Sequence, residues 1–117
     1  MLFEMHDVLV MKDYLSAKLY YDLGDYMAYM GNSYQACIIT AQNALKDYPY
    51  SNLREDFSLL VMKSKFELAV MSVESKKLDR FQNAEDECYG FINEFPESKE
   101  RATAEKYIAK CKKVIKD

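Results

Sequence analysis

Any chemistry in this 117-residue chain would have to begin at its one histidine, His6. A Ser/His/Asp or Cys/His site needs an imidazole beside the nucleophile, oriented by a third group. His6 sits near the start of the chain with no such pattern around it, and reads as an exposed helix residue. The three cysteines, Cys37, Cys88 and Cys111, form no CxxC or other metal spacing, and their count is odd. Carboxylates adjoin at Glu55 and Asp56, and again at Glu85, Asp86 and Glu87. They fall on polar helix faces without converging histidines, which is the pattern of a solvated face rather than an acid–base pair. There is no glycine-rich phosphate loop. No catalytic, cofactor-binding or metal-binding residue is assigned, and the chain reads as non-enzymatic.

Ten tyrosines are many for this length. Tyrosine suits positions that are half-buried and half-wet, including interfaces. Tyr26, Tyr29 and Tyr50 are therefore candidates for contact with a partner; the alternative is that they cover seams between helices. Arg54 and Arg101 recur at the start of two predicted helices. Each is either paired with an acid on a neighbouring helix or available to an acidic partner.

The elements that position these residues are helices. Only three glycines and two prolines are present, and half of the residues are hydrophobic. Disorder is excluded by that apolar content, and sheets joined by tight turns would need more turn residues. The net charge is −3 with acids and bases interspersed, unlike the basic stripe of a nucleic-acid binder. No apolar run of about 18 residues exists, so no membrane span is expected. The opening MLFEMHDVLVMKD has acids where a signal peptide has a basic region, so no export signal is read there.

One stretch occurs twice. Tyr34–Arg54 (YQACIITAQNALKDYPYSNLR) returns 47 residues later as Phe81–Arg101 (FQNAEDECYGFINEFPESKER). Gln35, Pro49, Ser51 and Arg54 match Gln82, Pro96, Ser98 and Arg101. Tyr34, Cys37, Ala41 and Leu45 meet Phe81, Ala84, Cys88 and Ile92, aromatic for aromatic and small for small. Lys18–Gly24 likewise matches Lys63–Ala69 at a shift of 45. An internal helix–turn–helix repeat is the reading.

Five helices are predicted. The first spans about residues 5–30, interrupted at Gly24, with Val8, Leu15, Leu19, Leu23 and Met27 as one apolar set. Tyr14, Ala17, Tyr21 and Ala28 lie beside it, a surface wide enough for packing on two sides. The second runs about 33–48 and stops before Pro49. The third, capped by Ser51, runs about 52–72, and Glu74–Asp79 reads as a charged connection. The fourth spans about 79–95 and stops at Pro96; the fifth, capped by Ser98, spans about 99–116. The 47-residue spacing places the extra residues in a lengthened third helix and the connection after it.

The residues Tyr20, Leu23-Gly24, Met27, Cys37, Ala44-Leu45 and Pro49, then Phe66, Leu68-Ala69, Ala84, Phe91 and Pro96, resemble the tetratricopeptide repeat, whose unit is about 34 residues. The resemblance implies an all-α, right-handed solenoid: repeat 1 over about 5–50, repeat 2 over about 51–97 and a capping helix over about 98–116. Ala17–Gly24 (AKLYYDLG), Ala44–Ser51 (ALKDYPYS) and Phe91–Ser98 (FINEFPES) are further similar to the C-terminal half of the BamD family of outer-membrane β-barrel assembly lipoproteins. The long first helix and Leu78–Phe81 look like the versions from Bacteroides-type bacteria. What this resemblance implies is a non-enzymatic scaffold at the periplasmic face of the outer membrane, docking onto BamA-like POTRA domains. A generic cytosolic adaptor that binds a peptide or partner protein is the alternative; its usual Lys/Arg/Asn carboxylate clamp is not evident here. If the first helix lacks a predecessor, Val8, Val10, Met11 and Tyr14 are expected to be uncovered and to drive self-association.

Overall fold

The computed structural model describes residues 5–24, 32–49, 52–71 and 74–116. Among them the regular structure is entirely α-helical: α1 (Met5–Gly24), α2 (Asn32–Asp47), α3 (Arg54–Met71), α4 (Glu74–Glu94) and α5 (Arg101–Lys116). The chain divides into two compact units, Met1–Val61 and Met62–Asp117. The division falls inside α3, which contributes residues to both.

In the first unit α1 packs on α2. Small side chains make the close approach: Ala17, Cys37, Ala41 and Ala44 are all buried, together with Val10, Phe57, Leu60 and Val61. A larger residue at Ala17, which has no exposed surface, would push the helices apart. Aromatic rings close the edges. Tyr14 meets Phe57 edge-on with centroids 5.8 Å apart, and Tyr21 meets Tyr34 at 5.7 Å, geometries that the ring quadrupole favours.

In the second unit α4 packs on α5, around Phe66, Ala69, Phe81, Ala84 and Cys111. Phe66 is the hub. Phe81 stands edge-on to it at 5.9 Å, Tyr107 stacks on it at 4.4 Å, and the Lys110 ammonium lies 5.8 Å from its centroid. The Lys65 Nζ donates to Glu87 Oε1 at 2.7 Å, joining α3 to α4.

The duplicated stretch has a clear structural counterpart. α2 ends at Asp47 and α4 at Glu94; α3 opens at Arg54 and α5 at Arg101, each pair 47 residues apart. Buried positions coincide at the same shift: Tyr34 with Phe81, Cys37 with Ala84, Ala41 with Cys88, and Ala44 with Phe91. The match continues into the next helix, where Phe57, Val61 and Ser64 align with Ala104, Ile108 and Cys111, all buried.

Two expectations are corrected. Glu74–Asp79 is not a connection: it is the opening of α4. Glu, Ser and Lys are tolerated in a helix, and Glu74 sits at the N-terminal end, where the helix dipole favours an acid. The extra residues of the long repeat are therefore helical: α4 is the longest of the described helices at 21 residues, and α3 has 18. The turns follow the proline rule. The Phe95 amide donates to the Phe91 carbonyl at 2.8 Å before Pro96, and the Ser98 hydroxyl accepts from the Glu100 amide at 3.0 Å ahead of α5. Ser51, expected to cap α3, lies outside the described residues.

Candidate protein-contact surface

α1 is a helix with two apolar sides. One is the core side, Val10, Tyr14, Ala17 and Tyr21, spaced at three and four residues. The other is a row at strict four-residue spacing, Met11, Leu15, Leu19 and Leu23, with Val8 two turns before Leu15 on the same side. Every member is exposed; Leu15 and Leu19 each keep 57% of their surface in water. Val10, on the opposite side, keeps 3%.

This corrects the reading of the first helix. Val10 and Tyr14, expected to be uncovered, belong to the core; Val8 and Met11 are uncovered. The set Val8, Leu15, Leu19 and Leu23 faces water. Two apolar rows on one helix look equivalent in sequence. Ala17 decides between them, because only the side carrying a small residue lets α2 approach.

The register with α3 shows what such a row does when it is covered. At the 45-residue shift, Lys12, Leu15, Ser16 and Leu19 correspond to Phe57, Leu60, Val61 and Ser64. All four of those α3 residues are buried, and three of them belong to the first unit's core. Leu15 and Leu19 of the uncovered row thus stand at positions that are buried in α3, while Met11 and Leu23 correspond to half-buried Asp56 and Leu68. Nothing comparable remains on α5, where Lys106, Ala109, Lys110 and Lys113 are exposed.

The residues singled out for partner contact fall partly within the described structure. Tyr26, Tyr29 and Tyr50 lie outside the described residues. Arg54 opens α3 and is exposed. Arg101 opens α5, where its Nε donates to Glu105 Oε1 at 3.2 Å and its Nη1 to the Pro96 carbonyl at 3.3 Å. That pairing is within its own helix and turn, not across to a neighbouring helix. Tyr89 is exposed, and the Lys112 ammonium lies 5.7 Å from its ring centroid.

Cys37, Cys88 and Cys111 are buried thiols. Burial, with a smaller contribution from neighbouring acidic groups, pushes Cys88 up to about 12 and Cys111 up to about 11. Both thus stay protonated at neutral pH and are poor nucleophiles. Burial and the adjacent Glu55 raise the Asp56 carboxyl. Glu87 is engaged by Lys65. An open groove of about 410 Å³ is lined by Gln82, Glu85, Asp86, Lys112 and Ile115. Among the described residues no group of three or more His, Cys, Asp or Glu side chains is placed to hold a metal ion. None of the described helices is long and apolar enough to cross a membrane.

No protein-family model matches the chain, and a search of curated proteins finds no match either.

Proposed function

We propose that this protein is a non-enzymatic helical-repeat scaffold that works by protein–protein contact. The observation that carries the proposal is the exposed row Met11, Leu15, Leu19 and Leu23 on α1. A contiguous apolar strip along a 20-residue helix has a hydration cost that a partner's apolar side chains would remove. Scattered surface leucines need no such account; four in register do. The 47-residue recurrence of helix ends and buried positions supports a repeat architecture, in which stacked hairpins present a preorganised surface.

Within that reading we propose a tetratricopeptide-like right-handed solenoid and, from the resemblance of the sequence to the BamD family, a more specific role. The chain would be part of an outer-membrane protein assembly factor at the periplasmic face, meeting POTRA domains through its inter-helix turns. The AKLYYDLG, ALKDYPYS and FINEFPES segments support it. The test is a binding assay between the folded chain and immobilised POTRA domains. Retention of the chain is expected; a folded sample that shows no retention contradicts the assembly-factor role.

A further inference from the structure

We infer that the exposed row of α1 is the contact face of an antiparallel homodimer, the occupant of each row being the same row of a second copy. The inference rests on the reading of that row as a protein-contact surface and names its partner.

Two observations select a second copy. The first is order along the helix. In an antiparallel pair with its two-fold axis level with Ala17, Met11 meets the level of Leu23 of the second copy, and Leu15 that of Leu19. Apolar groups thus face apolar groups along the whole row. The second is charge. Lys12 and Asp22 flank the two ends of the row, and both are exposed. The antiparallel arrangement brings Lys12 to the level of Asp22 of the second copy, whereas a parallel one would set like charges together, which is repulsive. A self-complementary face closes with two copies.

The size of the row sets the strength. Its side chains are about half exposed, and with Val8 they offer on the order of 400 Å² per copy, roughly 800 Å² per pair, below the range of stable specific interfaces. The dimer is therefore weak and concentration-dependent. The row follows a four-residue ridge, and two such ridges interdigitate with the helices crossing at about −50°.

Sedimentation equilibrium of the full chain over a wide concentration range tests this. The expected result is a rise in apparent mass from 13.7 kDa toward twice that value. The Leu15→Glu/Leu19→Glu double variant should stay monomeric with an unchanged circular dichroism spectrum. Single-cysteine additions fix the orientation, because the native thiols are buried. A Met11→Cys chain mixed with a Leu23→Cys chain should give mixed cross-links with a short bismaleimide, and neither chain alone should cross-link efficiently. A monomer at all concentrations, species larger than a dimer, or Met11→Cys chains linking to themselves would overturn the homodimer. POTRA binding by a monomeric wild-type chain, lost in the double variant, would hand the row to that partner and leave the contact-surface reading standing. A monomer whose row variant binds POTRA domains like wild type would remove both.

Discussion

α1 and α3 carry related patterns in one register, and one side of each is treated oppositely. On α3, Leu60 is sealed into a core; on α1, Leu15, which corresponds to it at the 45-residue shift, stands in water. Both helices also have a second apolar side, and each uses that one for its own hairpin core: Ala17 and Tyr21 on α1, Ala69 and Phe66 on α3. A helix with one apolar side is satisfied by a single neighbour. A helix with two needs a second neighbour.

The sharpest way to break this comparison is to truncate equivalent sides of the two helices. Phe57→Ala removes a fully buried ring and should lower the unfolding free energy by about 3–5 kcal/mol in urea titration. Leu15→Ala should change it by less than about 0.5 kcal/mol in the dilute monomer. Equal losses at the two sites would show that the row of α1 is covered within the chain. Overpacking comes next: Ala84→Leu, at the α4 core where no space is exposed, should cost about 1–3 kcal/mol.

Titration of the thiols separates the second unit's core from its surface. Cys88 and Cys111 ionise later when folded than when unfolded. Above the pH at which an unfolded thiol ionises, about 8.5, the unfolded state binds fewer protons. Stability contributed by the protonated thiols is then lost as pH rises toward the folded values. Thermal melts should show a decline through this alkaline window that Cys88→Ala reduces. Smaller effects belong to the turn before α5. Ser98→Ala removes the acceptor of the Glu100 amide and should cost about 1 kcal/mol. Arg101→Ala breaks an exposed i,i+4 pair and should cost about 0.3 kcal/mol. Both are read from shifts in the urea midpoint at constant slope.

Much of the fold was legible because the signals were local and physical. Pro49 and Pro96 mark the two helix stops, since proline excludes helical geometry from the residue before it. The pairing of Tyr34 with Phe81 and Cys37 with Ala84 located buried positions before any coordinates, because a repeated environment demands a repeated size. The start of α4 was not legible: Glu74–Asp79 is charged, and charge alone does not distinguish an exposed helical turn from a loop. Nor was the choice of inner side on α1. Periodicity identified two apolar rows, and the choice between them depends on which row carries the small residue at the crossing. The candidate contact surface followed from that choice, so Val10 and Tyr14 were expected on the wrong side while Val8 and Met11 were expected on the right one. Arg101 was visible as a recurring residue, but its partner, four residues on in its own helix, was one of several acids within reach.

The central claim is that the row Met11, Leu15, Leu19 and Leu23 is a surface awaiting a protein, while the lysine side of α5 is a finished exterior. Hydroxyl-radical footprinting of the folded chain, at low and high concentration and with POTRA domains added, measures this directly. The account predicts that Leu15 and Leu19 are oxidised in the dilute chain and become protected as protein or partner is added, with the α5 surface unchanged. Oxidation of Leu15 and Leu19 that stays the same under every condition would contradict it.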